Sequence, residues 1–361
     1  KVFRLIKRFT FRDYRFPYIK IDCSIVRSSK IVRKRMIPEF RIESSNVFNN
    51  PEKYEIEIEI DSSKFPERTD DFADILMGNL RKTIKYVMSG LQETNFPISY
   101  KDQNLVLREY MRVLYKNPPE RRIRTRDFVG PSSKSLELPN IVPLDDDIIV
   151  PNIRLPYTVT EKADGIRKLL FINSKGYAYL INVNMKVQFT GTITKQRDLM
   201  NTIIDGEHVL HDKRGAFINN YLAFDIYYIN KKDIRSEPFY VSDSSAEKGR
   251  LVLLNKTLKN IKFEGVVGEI IPLKVRAKTF HAAEGVGIFA KCKEILNRVR
   301  DGLFEYETDG LIFTPANKGV GSNTVGETLD PIKRTWGWSL KWKPPDFNTI
   351  DFLVTTQKTE G

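Results

Sequence analysis

The sequence predicts an α+β protein of two domains, and three observations predict it. Residues 1 to about 60 alternate charged and apolar positions, which is the period of strands. Between about residues 70 and 115 the apolar residues recur at helical spacing. Beyond Pro156 short apolar runs alternate with turn residues and two further helical stretches, a mixed α+β pattern and not a doubly wound sheet.

Taken in order, Lys7-Arg8-Phe9-Thr10-Phe11-Arg12, Tyr18-Ile19-Lys20-Ile21-Asp22-Cys23 and Tyr54-Glu55-Ile56-Glu57-Ile58-Glu59-Ile60 are expected as strands. The stripe Phe72, Leu76, Leu80, Ile84, Val87, Met88 and Leu91 predicts one helix and residues 103–115 a second, both packing on the first sheet. From residue 117 to 156 repeated prolines interrupt any regular element. The domain junction is placed near residues 117–127, giving domains of residues 1–120 and 121–361. Strands are then expected at 169–171, 177–181, 203–210, 221–228, 311–314 and 338–342, with helices near 247–259 and 288–299.

The 361 residues exceed what one core usually serves, and 41% hydrophobic residues suffice for real cores. Lys plus Arg outnumber Asp plus Glu by 59 to 46, a net charge of +13 that suits a polyanion such as nucleic acid or nucleotide, or an acidic membrane surface. No run approaches the roughly 18 apolar residues of a spanning helix, so no membrane is expected. Cys23 and Cys292 stand far apart and in no metal-ligand spacing, which argues for a reducing compartment. The three histidines form no metal pattern. The start, Lys1-Val2-Phe3-Arg4, lacks a signal-peptide pattern and reads like the middle of a strand-rich region, so a longer parent protein is expected.

Chemistry concentrates around Glu161-Lys162-Ala163-Asp164-Gly165-Ile166-Arg167. A lysine becomes a nucleophile when desolvation or neighbouring cations lower its pKa, and Arg167 is such a cation. Gly165 permits close backbone approach, and Asp164 can orient a donor. Alone, the string is also what a surface turn between two strands looks like. Downstream, Asp205-Gly206-Glu207 offers either a solvated turn or a metal or ribose contact, and Phe224-Asp225 either plain core or an aromatic platform. Asp309-Gly310 repeats the acid-glycine theme before a strand. Lys341 and Lys343 project from one strand face, which calls for a shared anion such as a nucleoside triphosphate, or for solvent at an exposed edge. The loop 318–323 is Gly-rich without the spacing of a phosphate-binding turn. Glu55, Glu57 and Glu59 share one strand face, either as solvated charge or as a divalent-metal site beside the cations Arg8, Lys20, Arg33 and Arg35.

The ordered set Lys162-Ala-Asp164-Gly165-Ile-Arg167, Asp205-Gly206-Glu207, Phe224-Asp225, Asp309-Gly310 and Lys341-Trp342-Lys343 resembles the covalent nucleotidyltransferase superfamily of DNA ligases, RNA ligases and mRNA guanylyltransferases. Leu340-Lys341-Trp342-Lys343-Pro344-Pro345 followed by Asn348-Thr349-Ile350-Asp351-Phe352-Leu353 resembles capping enzymes of large cytoplasmic DNA viruses, as do Phe128-Val129-Gly130-Pro131 and Val159-Thr160-Glu161-Lys162. The resemblance implies that Lys162 attacks the α-phosphate of GTP and passes GMP to the 5′-diphosphate end of RNA. It implies nucleotide-binding roles for Glu161, Asp164, Arg167, Glu207, Phe224, Asp309, Lys341 and Lys343. Glu207 and Asp309 would help hold Mg2+ or Mn2+, Phe224 would stack on guanine, and Lys341 and Lys343 would neutralise phosphates. Tyr54-Glu55-Ile56-Glu57-Ile58-Glu59 and Phe40-Arg41-Ile42-Glu43 resemble the tunnel-type RNA triphosphatases. That implies an antiparallel β-tunnel metal site at Glu55, Glu57 and Glu59, with Arg8, Lys20, Arg33 and Arg35 on RNA phosphates. The family's other glutamate strand is expected upstream of Lys1, and its C-terminal OB-fold, with a methyltransferase domain as a further candidate, beyond Gly361. The implied location is the cytoplasm, or a viral factory or virion for a viral protein. The competing readings are an ATP-dependent RNA or DNA ligase and a non-catalytic RNA-binding scaffold.

Overall fold

In the computed structural model the described residues are all but 33–34, 67–68, 145–149, 243–247, 269–271, 348–351 and 355–361. They form two compact units, Lys1–Glu93 and Thr94–Gly361. The division falls before the proline-rich stretch on which sequence placed the junction.

The first unit contains β1 (Arg4–Arg12), β2 (Ile19–Ser28), β3 (Ile31–Val32), β4 (Arg35–Met36), β5 (Lys53–Ile60) and α1 (Phe72–Gln92). Among the described residues β1, β2 and β5 make an antiparallel sheet in that order, and β3 pairs with β4. Period two puts the charged residues on one face and apolar ones on the other. There Ile19 and Ile58 join Phe16, Tyr18 and Phe65 under Leu76 and Leu80 of α1. The expected strand pattern fails at residues 40–50, which are turns and bends. Asn46 adopts φ 55°, and its carbonyl accepts from the Asn49 and Asn50 N–H groups, so local turn chemistry overrides alternation there.

The second unit runs α2 (Tyr100–Leu114), β6 (Ser132–Ser135), β7 (Tyr157–Ala163), β8 (Ile166–Ile172), β9 (Tyr177–Asn182), β10 (Val187–Ile193), β11 (Thr202–His211) and β12 (Phe217–Ile229). It continues with β13 (Lys232–Asp233), α3 (Arg250–Asn260), β14 (Glu264–Gly265), β15 (Lys274–Ala277), β16 (His281–Ala283), α4 (Gly287–Arg300), β17 (Thr308–Pro315) and β18 (Thr335–Trp342). Among the described residues these strands form an eight-stranded sheet, ordered β13-β12-β11-β8-β9-β10-β14 with β15 beside β12, and a five-stranded sheet, β16-β7-β17-β18-β6. All pairs are antiparallel except β12 with β15 and β18 with β6.

The helix at 100–114 was expected on the first sheet. Instead Val106, Tyr110, Met111 and Leu114 are buried with Phe128, Phe171 and Ile203 in the second unit. An amphipathic stripe states that a face is covered, not by which sheet. On the opposite face of the eight-stranded sheet Leu254 of α3 packs with Leu170 and Ile204, and α4 covers the five-stranded sheet through Ile288 and Ile295. Among the described residues no helix is long and apolar enough to cross a membrane.

The turn Asp164-Gly165 carries the chain from β7 in one sheet to β8 in the other. A Cβ on Gly165 would lie 2.8 Å from the His208 carbonyl oxygen, so glycine is what lets the two sheets meet here.

Candidate active site

A cavity of about 250 Å3 opens between the two sheets of the second unit. One wall is β6, β7, β17 and β18; the other is β8, β11 and β12. On β7 the odd-numbered Tyr157 and Val159 are buried in the α4 core, so alternation turns Thr160 and Lys162 into the cavity.

The Lys162 ammonium donates to Asp309 Oδ1 at 2.6 Å, and Lys343 Nζ lies 2.6 Å from Asp309 Oδ2. One carboxylate therefore gathers both lysines. Burial works to raise the Asp309 pKa, but the hydrogen bonds from Lys162 and Lys343 outweigh it and hold the carboxyl below its usual range. Gly310 sets this geometry: its φ is +147°, and a Cβ there would lie 1.9 Å from the Trp342 carbonyl oxygen. Lys341 also lines the cavity and is exposed. For Lys343 the anion demanded by two close lysines is Asp309; Lys341 has no ion pair among the described residues.

Across the cavity Glu207 sits on β11, where burial pushes its pKa up to about 7 against the pull of Lys278, Arg167 and Lys162. Asp205-Gly206-Glu207, for which a solvated turn was one reading, lies mid-strand. Arg167 lines the same wall, but its guanidinium is committed to the buried Asp205 at Nε (3.1 Å) and Nη2, and to the Pro131 carbonyl at 2.6 Å. Tyr227 OH donates to the same Asp205 carboxylate at 2.5 Å. The guanidinium carbon stands 5.5 Å from the ring centroids of Phe128 and Phe224, so it braces Phe224, whose ring forms part of the wall. Beside it, Asp225 is bound by the fully buried Arg250 at 2.8 and 3.1 Å.

Of the expected nucleotide-binding residues, Asp309 and Lys343 stand behind Lys162 and do not themselves line the cavity, and Glu161 and Asp164 stand elsewhere. Glu161, odd-numbered on β7, accepts from Tyr306 OH at 2.7 Å and Thr160 Oγ1 at 2.8 Å and lies 3.3 Å from Lys278 Nζ. Asp164 is exposed in the turn, its backbone N–H donating to the Glu307 carbonyl at 2.8 Å. Neither lines the cavity. Conversely, Lys278 does, buried and donating to the Glu161 carbonyl oxygen. Nothing in Lys274-Val275-Arg276-Ala277-Lys278 distinguishes it from an ordinary basic stretch. His208 is buried within β11, its Nδ1 accepting from the Lys168 ammonium at 3.0 Å and its Nε2–H donating to Asn219 Oδ1 at 2.7 Å; burial lowers its pKa to about 4.

In the first unit the glutamate row has charge partners of its own. Arg4 meets Glu55 at 2.7 Å, Arg8 meets Glu57 at 3.1 Å, and Lys20 meets Glu59 at 2.6 Å. Neighbouring strands thus supply the compensation for which a metal was expected. Asp22, which the sequence did not single out, is fully buried opposite Glu57 and joins Arg8 at 3.1 Å and Lys20 at 3.0 Å. Oxygens of Asp22, Glu57 and Glu59 lie within 4.8 Å of one another, while Glu55 stands outside that group. Of the expected phosphate ligands, Arg8 and Lys20 are tied to these acids, Arg35 is exposed on β4, and Arg33 lies outside the described residues.

The site is thus a lysine facing a cleft between two sheets, with acids and further lysines around it. Residues 112–344 match the family model described as mRNA capping enzyme, catalytic domain, and the chain belongs to that family. It is 24% identical to a "Probable mRNA-capping enzyme" of Acanthamoeba polyphaga mimivirus, over 94% of this chain and 28% of that protein. It is 27% identical to an mRNA-capping enzyme of Danio rerio over 65% of this chain and 35% of that protein. To an mRNA-capping enzyme subunit alpha of Schizosaccharomyces pombe it is 29% identical over 55% of this chain and 48% of that protein. The chain thus spans about a quarter to a half of the length of these relatives.

Proposed function

We propose that the chain carries the guanylyltransferase of a viral-type mRNA capping enzyme, with the 5′ end of RNA and GTP as its substrates. The observation that supports it most is the Lys162–Asp309–Lys343 arrangement at 2.6 Å on each side, beside Lys341 at the cavity wall. In the first step the Lys162 ammonium gives up its proton, and the free amine attacks the α-phosphorus of GTP. A P–N bond forms as the bond to the β-phosphate oxygen breaks, and pyrophosphate leaves with that electron pair. Positive charge from Lys341 and Lys343 stabilises the charge building on the departing phosphates. In the second step an oxygen of the RNA 5′-diphosphate attacks the same phosphorus, the P–N bond breaks, and the lysine regains a proton. Phe224, held by Arg167, offers the face on which guanine stacks.

Divalent metal suits these donor types: Mg2+ is usually held by one or two carboxylates together with substrate phosphates, and Glu207 on β11 and Asp309 on β17 are hard oxygen donors. When bound, it would offset phosphate charge. Cys23 and Cys292 are both free, which fits action in the cytoplasm.

Incubation with α-labelled GTP tests the reading. Wild-type protein acquires protein-bound label and Lys162→Ala does not; labelling from ATP in place of GTP would make the chain a ligase.

The group Asp22, Glu57 and Glu59 supports a second activity, a metal-dependent RNA triphosphatase in the domain of residues 1–120. Arg8 meets Glu57 at Oε2 and Lys20 meets Glu59 at Oε2, which leaves the Oε1 atoms for a cation. Release of γ-phosphate from RNA that is lost in Glu57→Gln, with GTP labelling unchanged, is the expected result.

A further inference from the structure

Beside the cavity lies a run of cations that the site above does not use. Residues 121–126 read Arg-Arg-Ile-Arg-Thr-Arg. Arg121 is committed to the buried Asp127 at 2.8 and 2.6 Å, whereas Arg122, Arg124 and Arg126 are exposed and without ion pairs among the described residues. Two more cations join them at the start of β18. The Lys333 N–H donates to the Arg126 carbonyl at 2.8 Å, and the Ser132 N–H to the Arg334 carbonyl at 2.8 Å. These bonds stitch the run to the wall formed by Ser132, Ser133 and Trp336. Arg334 Nε is buried with no hydrogen-bond partner, an unmet donor on a cation. The carboxylates flanking these cations along the chain are Glu120, Asp127, which Arg121 holds, and Asp330, in Leu329-Asp330-Pro331.

We propose that this rim, Arg122, Arg124, Arg126, Lys333 and Arg334, is the track for the phosphates of the acceptor RNA as that strand leaves the cavity. The proposal rests on the guanylyltransferase reading for which RNA end lies inside. Single-stranded RNA is favoured over an acidic protein because the rim continues from the wall where the reacting end would sit. Arg122, Arg124 and Arg126 are exposed, with Lys333 and Arg334 half-buried beside them, and exposed cations release counterions when phosphates bind.

Binding of a long single-stranded RNA, measured against salt, tests the rim in Arg122→Ser/Arg124→Ser/Arg126→Ser. The control removes the same charge at Lys213, Lys231 and Lys232. The rim variant is expected to bind about tenfold more weakly, its slope of log affinity against log salt reduced by about 2, since each phosphate contact on a single strand contributes about 0.7. The control moves neither. Transfer of GMP to a long 5′-diphosphate RNA shows a raised KM in the rim variant, transfer to a 5′-diphosphate dinucleotide does not, and lysine–GMP formation keeps its wild-type rate. Unchanged RNA affinity and slope, an equal loss in the control, or loss of an acidic phosphopeptide alone would overturn the proposal. If the triple variant does not fold, Lys333→Gln is used, with a slope change of about 0.7 expected and none contradicting it. Absence of lysine–GMP in the wild type would sink the enzymatic reading, while the RNA-binding arm would still decide the rim.

Discussion

Lys162 faces two demands, since it must be held at the mouth of a charged cavity and must also present a lone pair to phosphorus. Asp309 meets the first by a 2.6 Å bond, and because it also holds Lys343, losing it loosens two lysines at once. Asp309→Asn is therefore expected to slow lysine–GMP formation by about 100-fold or more, as loss of a placed electrostatic group does, measured in single-turnover labelling. Glu207 gives a pH signature. Its folded pKa of about 7 stands above the ordinary 4.5 because of burial. Its contribution to stability is thus fully present below about pH 4.5 and is lost as pH rises through 7. Thermal unfolding followed over that window should show the loss in the wild type and not in Glu207→Gln. At this scale the ordered series led to Lys162, Arg167, Glu207, Phe224 and Lys341, which the fold brings to one cavity. Lys278 was not legible, because a lysine among lysines gives no pattern, and Glu161 was misplaced because adjacent strand residues face opposite ways.

Among the elements, β7, β8 and the turn between them set the site, since they bring Lys162 of one sheet and Arg167 of the other to the cavity. Gly165→Ala would press a Cβ against the His208 carbonyl and Glu207 Cγ, at 2.8 and 2.9 Å, and is expected to lower both stability and labelling. Behind β12, Arg250 joins Asp225 to the Glu237 carbonyl and, at 3.2 Å, to the Lys318 carbonyl, tying strand, helix start and Gly-rich loop together. Arg250→Ala leaves Asp225 buried without its partner, and denaturant unfolding should show a loss of about 3–5 kcal/mol. The helices and nine of the eighteen strands among the described residues could be read from their periods, β7 and β10 not among them; the partner of α2 could not, because a buried stripe is silent about what buries it. Alternation also misled at 40–50, where asparagines turn the chain.

For the molecule as a whole, every residue lining the cavity belongs to the second unit. Residues 94–361 alone are therefore expected to form lysine–GMP, scored by the same labelling, with the glutamate-bearing unit dispensable for that step. The +13 charge pointed to a polyanion, and the order of motifs to a nucleotidyl carrier, but which acids would pair with which cations depended on strand register. The most direct test is the intact mass of the protein after incubation with GTP and a divalent metal. The account predicts a gain of one GMP that is absent in Lys162→Ala and removed by added pyrophosphate. No mass gain with GTP, or a gain that survives in Lys162→Ala, would contradict it.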